Sequence, residues 1–413
     1  METRIANFYK LKSAERMNKV AKQAKLTDKE KNYLTEGLSI EEANLMIENV
    51  IGYMPIPLGI AVNFKINQRD IFIPMATEEP SVVAAASNAA KLTYHLGGFT
   101  TSQTESIMIG QIQLINVKLP YETKAKIFEY KSEILSICNE QDKTLINLGG
   151  GAKDINVRVF PEHHIVVIHL LIDTKDAMGA NTVNTMVEAV TPFLERLIDG
   201  HVGIRIISNL ADNRIVRARA TFENPFTKSE ENKFLQAYQL ALIDPYRAAT
   251  NNKGIMNGIS AIALATGNDT RAIEAGAHAY ASIKGGYQSL THWELDEQNN
   301  IVGTIELPLA IGIVGGATRS NKVANVSLKI LQVSEAKQLA AIMASVGLAQ
   351  NFAALRALAT EGIQSGHMRL HVANLAAMAG AKPEHLEQII EKAKKINHIS
   401  FDEIKRIVDT FYK

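Results

Sequence analysis

The sequence predicts an α+β protein: a large, mainly helical domain, a small α+β domain inserted into it, and a helical flap at the C-terminus. Three observations carry this. Helical stretches dense in small residues, 82–96 and 230–280, resemble each other across a region of different character. Within that region, from about Gly110 to Phe222, strand-like runs at 111–117, 155–160, 164–172, 203–208 and 214–221 alternate with helical runs at 122–140 and 178–198. That order suits an antiparallel sheet covered on one face by helices. The last segment, 376–413, is a charged helical tail able to move as a unit. The expected boundaries are 1–109 with 223–365 for the large domain, 110–222 for the insert, and 366–413 for the tail.

Residues 1–48 read as charged helices, Ser13 to Leu26 and Thr27 to Glu36, with Ser39-Ile-Glu-Glu as a capping box opening a third. Such an arm packs on the main body or on another subunit. Residues 49–64 are irregular and proline-punctuated. Ile71-Phe-Ile-Pro-Met completes a hairpin-like unit around Asn67-Gln-Arg-Asp. Thr77-Glu78-Glu79-Pro80-Ser81 precedes the run Val82 to Ala90, with Pro80 expected in a first helical turn. Ile259 to Thr266 is apolar on all sides, the signature of a buried helix, and Gly267-Asn268 is its stop. Another small-residue helix covers 271–283, a strand 301–307, a glycine-rich turn begins at Gly312, and helices are expected at 334–346 and 349–360.

At 413 residues there is chain for roughly two to three domains. A net charge of +1 gives no general attraction to nucleic acid or to a membrane surface. A single cysteine, Cys138, excludes an intrachain disulfide and suits a reducing compartment. The N-terminus has no signal-peptide core, and no uninterrupted apolar run approaches ~18 residues. A cytoplasmic protein with no membrane span is expected.

Lys253 stands where a dense polar cluster, Asp244 to Lys253, runs into the apolar segment. At the mouth of a buried element, desolvation depresses a lysine pKa, although a solvated lysine before a core helix fits the spacing equally well. Glu78-Glu79 is a paired-carboxylate signal for acid–base work, against the commoner reading of solvated acids at a helix start. Ile165 to Asn181 reads as strand, turn and helix. Gly179 lets backbone come close to a ligand, and free amides at the helix start favour an anion; the plainer alternative is a helix capped by Asp176. No Rossmann or P-loop pattern is present. His367 and His371 have metal-site spacing, but no acid follows His367 as in the zinc-protease motif, and no metal is expected. Gly149-Gly-Gly-Ala-Lys-Asp154 reads as a plain turn.

Taken together, Glu48-Asn-Val-Ile-Gly, Met75-Ala-Thr-Glu-Glu-Pro-Ser, Asp176-Ala-Met-Gly-Ala-Asn, Asp244-Pro-Tyr-Arg-Ala-Ala-Thr-Asn-Asn-Lys-Gly, Ala265-Thr-Gly-Asn-Asp and Gly366-His-Met resemble the hydroxymethylglutaryl-CoA reductase family, in its soluble class. The resemblance spans about 40–375. It implies a two-step hydride reduction of hydroxymethylglutaryl-CoA to mevalonate and CoA, or the reverse, with NADPH or NADH. It implies Glu79, Lys253, Asp269 and His367 as catalytic residues, and Ser81, Arg247 and Asn257 lining the substrate pocket. The turn holding Asp176, Met178, Gly179 and Asn181 matches the family's cofactor pyrophosphate site. It further implies a homodimer, or a multiple of dimers, with the active site at the interface.

The residue types fit those roles. A cationic lysine stabilises a carbonyl oxyanion, a histidine protonates a leaving thiolate, and a carboxyl of raised pKa protonates the aldehyde oxygen. Asp173 is placed to meet a ribose 2′-hydroxyl, whereas Lys175, on the same side of an extended chain, would pair with a 2′-phosphate and inclines the reading to NADPH. Lys253 and Asp269 would lie ~24 Å apart on one straight helix. Either Lys253 lies in a loop folding back, or the two act from different subunits. The rivals are another CoA-ester enzyme, for which Cys138 has no nucleophile motif, and a non-catalytic homologue lacking reason to keep all four catalytic types.

Overall fold

The computed structural model describes residues 3–283, 285–316, 320–360, 362, 372–393, 396 and 399–412. Three helices open the chain, α1 (Ser13–Ala24), α2 (Asp28–Glu36) and α3 (Ile40–Asn44). Thr27 and Ser39 start the last two with reciprocal capping boxes to Glu30 and Glu42. The arm docks on its own chain: Phe8, Val20 and Ala24 bury against Val62, Phe72, Val326 and Ile330.

Strands β1 (Leu58–Ile66) and β2 (Arg69–Ala76) form the hairpin, turned by Asn67 and Gln68 at φ 47° and 64°. Two left-handed residues match the twist of the strands they join. Helix α4 (Val82–Thr93) follows, but Pro80 lies before its first residue rather than in its first turn. Ser81 is the N-cap instead, at φ 73°, and its side chain caps nothing.

After β3 (Phe99–Gln103) the chain enters the insert: β4 (Ile107–Ile115), α5 (Pro120–Glu129), α6 (Lys131–Asn139), α7 (Lys143–Asn147), β5 (Gly151–Phe160), β6 (Ile165–Asp173), α8 (Ala180–Ala189), α9 (Thr191–Leu197) and β7 (His201–Ser208). Its sheet is antiparallel, ordered β5-β6-β4-β7. Ile112, Leu114, Ile168 and Leu170 meet Ile134, Val183 and Val187 in a core of their own. Each expected long helix is broken in two, at Tyr130 and at Val190. Pro192 lacks the amide that would continue the second.

β8 (Ile215–Phe222) corrects the boundary expected at 222. It pairs with β3 and with β10, in a second sheet. Its alternation buries Val216, Ala218, Ala220 and Phe222 in the larger core, and alternation alone does not say which sheet a strand joins. The elements that follow include α10 (Lys228–Ile243), α11 (Pro245–Ala265), α12 (Thr270–Tyr280), β9 (Thr291–Leu295), β10 (Ile301–Pro308), α13 (Lys322–Leu331), α14 (Ala336–Ala359), α15 (Leu386–Ala393) and α16 (Phe401–Asp409). The large part is mainly helical, as expected, but its helices are arranged on a sheet that the sequence did not announce. It is built on a six-stranded sheet, β2-β1-β3-β8-β10-β9, whose strands are scattered singly or in pairs between helices.

The helices expected at 334–346 and 349–360 are one, α14. Gly347 does not break it but lets α11 approach: a Cβ there would lie 2.8 Å from Ile259 Cδ1. α14 is long and apolar enough to cross a bilayer, yet 83% of its most apolar window is buried within the protein. It is a core helix. At the C-terminus Val372, Ala376, Ile389, Ile404 and Val408 form a separate small core.

Candidate functional site

Helix α11 carries the centre of the site. Asp244 caps it by accepting from the Tyr246 amide, Pro245 opens it, and Gly267 with Asn268 closes it by bonds back to Leu264 and Ala263. Lys253 therefore sits mid-helix, and the fold-back loop considered for it does not exist. Its neighbours Asn251 and Asn252 turn inward and are almost fully buried. Asn251 donates to Ser289 Oγ and accepts from Asn351, and Asn252 donates to the Gln288 carbonyl and accepts from the Leu290 amide. Every bond fixes the roll of α11, so the opposite face presents Lys253, Asn257 and Ser260 together.

Glu79 meets that face from the loop before α4. Lys253 Nζ donates to Glu79 Oε2 at 2.6 Å, and Asn257 Nδ2 donates to Oε1 at 3.2 Å. Three of the expected residues are thus assembled within one chain. The Lys253 side chain remains 61% exposed and that of Glu79 36%, so this chain alone does not supply the desolvation expected for either. Ser81, two residues on, holds the left-handed backbone described above, a strain that clusters at functional positions. Arg247 is half-buried, and burial lowers its guanidinium pKa from the usual value. It has no hydrogen-bond or ion-pair partner among the described residues, which leaves its fork for a carboxylate. Beyond Asn257, Ser260 Oγ donates to Glu274, which also contacts His278. This neighbouring pair gave no motif in the sequence.

Asp269 lies elsewhere. It caps α12, accepting from the amides of Arg271 and Ala272, with the Arg271 guanidinium 3.3 Å away. Burial pushes its carboxyl up, but these donors outweigh it and the net shift is downward. Lys253 and the end of α11 are ~18 Å apart along the axis, so the two residues are not partners within the chain. His367 falls outside the described residues, as does His371.

The second cluster surrounds the turn between β6 and α8. Asp176 does not cap α8; Gly179 does, at φ 99°, and offers no side chain to the first amides. The Asp176 carboxylate accepts instead from the Ala336 amide, the start of α14. The Ile313 amide donates to the Asp176 carbonyl, Gly312 packs on Ala177 and Met178, and the Gly312 amide donates to Asn268. A hydrogen-bonded chain thus runs from this turn to the neighbour of Asp269. Asn181 is exposed at the helix start.

Asp173 is buried, and Lys175 takes both its oxygens, amide to Oδ1 at 3.0 Å and ammonium to Oδ2 at 2.9 Å. Lys175 is left-handed at φ 52°, so the chain turns there instead of staying extended. The hydrogen bond to Asp173 is the main cause of its raised pKa. A Cβ on Gly149 would come within 3.9 Å of Lys175 Nζ, which brings the glycine turn, read as a plain loop, beside this cluster. Arg214 was also missed. It is buried, and burial lowers its guanidinium to about 10, still cationic at neutral pH.

A lysine beside a carboxylate on an open face, and apart from it an uncapped helix start with a second lysine close by, are groups that carbonyl chemistry and the binding of a phosphate-bearing cofactor, as in an oxidoreductase, can use. The family model of hydroxymethylglutaryl-coenzyme A reductase matches residues 12–372. The 3-hydroxy-3-methylglutaryl-coenzyme A reductase of Archaeoglobus fulgidus is 54% identical over 99% of this chain and 95% of its own length. The solved enzyme from Streptococcus pneumoniae is 39% identical and superposes with a TM-score of 0.83, covering 98% of this chain and 99% of that one. A class II structure from the same organism, bound to NADPH in open conformations, is 40% identical with a TM-score of 0.82, over 86% of this chain and 99% of that one. This chain belongs to the hydroxymethylglutaryl-coenzyme A reductase family. Its reaction is the family's interconversion of hydroxymethylglutaryl-CoA with mevalonate and CoA, using a nicotinamide cofactor.

Proposed function

We propose that the Glu79–Lys253–Asn257 constellation is the reacting centre, completed by Asp269 and the cofactor turn of a partner subunit in a homodimer or a multiple of dimers. The carrying observation is the 2.6 Å Lys253–Glu79 contact on a face still open to solvent. Two features support the partner. Asp269 adjoins Asn268, which is bonded into the chain of contacts leading to the cofactor turn, but the length of α11 separates it from Lys253. Leu45, Ile47, Ile51 and Met54, around the Glu48-Asn-Val-Ile-Gly segment, are exposed apolar residues that a second copy would cover.

The residues at the turn fit a dinucleotide. The α8 amides have no side-chain cap, and Lys175 stands beside them with its ammonium partly exposed. Asp176, Met178, Gly179 and Asn181 would shape the pyrophosphate seat. The bound nicotinamide supplies hydride. Lys253 holds the negative charge that builds on the substrate oxygen, and Asp269 balances Lys253 across the interface. His367 protonates the departing CoA thiolate, and Glu79 donates the proton to the aldehyde oxygen. Arg247 pairs with the substrate's free carboxylate, with Ser81 and Asn257 beside it. The preferred cofactor is NADPH: Asp173 is spent on anchoring Lys175 rather than exposed to a 2′-hydroxyl. A cytoplasmic setting belongs to the same reading. Absorbance at the nicotinamide band with hydroxymethylglutaryl-CoA, trying each reduced cofactor, is the test; turnover with neither would end it.

A further inference from the structure

The Arg214 guanidinium lies where the chain leaves the insert for β8, buried to 7% exposure with no carboxylate in contact among the described residues. Its hydrogen bonds go to Thr174 Oγ1 at 3.1 Å and to the carbonyls of Ala177 at 3.0 Å, Lys175 at 3.5 Å and Ile311 at 2.6 Å. It thereby ties the turn after β6 to the strand exit before Gly312. A trans peptide points its N–H opposite its carbonyl. With the carbonyls of Lys175 and Ala177 drawn to Arg214, the amides of Asp176 and Met178 point away from it. The turn is held besides by the Ala177 amide on the Thr174 carbonyl, the Lys175 amide on Asp173 and the contacts of Asp176 with Ile313 and Ala336. Among the described residues, only Arg214 gathers the carbonyls of Lys175 and Ala177 to one side. Lys175 is left-handed, and Gly179 is close to Thr174, which a Cβ there would approach to 2.3 Å.

We propose that Arg214 is the positioning residue of the cofactor turn, holding 174–178 by its fork of hydrogen bonds in the conformation that receives a pyrophosphate. This rests on the reading of that turn as the cofactor seat. Lysine in its place keeps the charge, but one ammonium cannot span acceptors on both segments as the planar fork does.

The test uses the full chain and titration calorimetry with two probes, ADP-ribose, which carries the pyrophosphate, and adenosine, which does not. Arg214→Lys should weaken ADP-ribose about tenfold or more. Adenosine and hydroxymethylglutaryl-CoA binding should stay as in the wild type, a selectivity that general destabilisation would not produce. Thr174→Val, which keeps the shape but deletes one acceptor of Arg214 together with the hydroxyl's own bonds to the Ala177 and Ser106 carbonyls, should show a loss of the same pattern and serves if Arg214→Lys fails to fold. In turnover the defect should fall on the KM for cofactor and spare kcat. Gly179→Val separates the two readings, because its added side chain collides with Thr174. If Gly179→Val abolishes ADP-ribose binding while Arg214→Lys and Thr174→Val leave it at the wild-type level, the role of Arg214 is overturned and the cofactor seat stands. If Gly179→Val also binds normally, the seat itself is misplaced, and the inference falls with it.

Discussion

Glu79 and Lys253 lie 174 residues apart in the chain and 2.6 Å apart in space, an ion pair formed before any substrate arrives. Since both side chains are partly exposed, the pair itself adds little to stability, and its value is in placing the ammonium. Lys253→Ala should cost on the order of 10²–10³ in kcat with a modest change in substrate affinity. Turnover near wild type would remove Lys253 from the mechanism.

If Lys253 of one subunit works with Asp269 of the other, two dead variants can repair each other. Lys253→Ala and Asp269→Asn homodimers should both be nearly inactive. Mixed and allowed to exchange subunits, they should recover up to about a quarter of wild-type activity, since half the dimers are hybrid and each hybrid has one intact site. No recovery, with exchange verified by mass, would place both residues in one chain's site.

Lys175→Ala should raise the KM for NADPH about tenfold or more while changing that for NADH much less, since only the former offers a 2′-phosphate to the ammonium. An unchanged ratio of the two would show that the 2′ position is read elsewhere.

His367→Ala should lose more on hydroxymethylglutaryl-CoA than on free mevaldehyde, which expels no thiolate. The thioester defect should shrink as pH falls, because solvent then protonates a leaving group of pKa about 8.5. Glu79→Gln should do the reverse and damage the aldehyde step. Equal losses on both substrates in His367→Ala would give the histidine a role in the site as a whole.

Cys138 is fully buried, and burial pushes its thiol up to about 12. At pH 8 roughly one molecule in ten thousand carries the thiolate, so alkylation of the native protein should track global opening. Labelling in denaturant should rise with the unfolding transition monitored by circular dichroism. Fast modification of the folded enzyme would contradict the buried position.

Local signals in the sequence survived into the structure. The helix start at Thr27, the capping box at Ser39, the Asn67-Gln68 turn and the Gly267-Asn268 stop each depend on residues within a few positions of one another. What failed was long-range. Asp176 reads locally as the cap of α8, but its carboxylate serves Ala336, 160 residues away. Asn251 and Asn252 read only as part of a dense polar cluster, and their burial depends on Ser289, Gln288, Leu290 and Asn351. Arg214 follows the same rule, since its four acceptors come from two distant segments. The candidate catalytic types stand out as a family pattern, whereas the placement of Lys253 within a continuous helix does not. Its polar run masked two turns of α11.

The two strands of chain that join the insert to the larger sheet are tied to each other at the crossing: the Thr104 amide donates to the Ile215 carbonyl, the Thr104 hydroxyl donates to the Asn213 carbonyl, and the Ile215 amide donates to that hydroxyl. Entry and exit thus share one hydrogen-bonded doorway, and the four-stranded sheet behind it has its own core. Such a module can be inherited as a cassette. Exchanging residues 105–213 between relatives of opposite nicotinamide preference cuts the chain only at this doorway. Provided that the partners of the turn, Arg214 and the Ala336 amide, are matched, the preference should then travel with the cassette while the acyl specificity stays with the host.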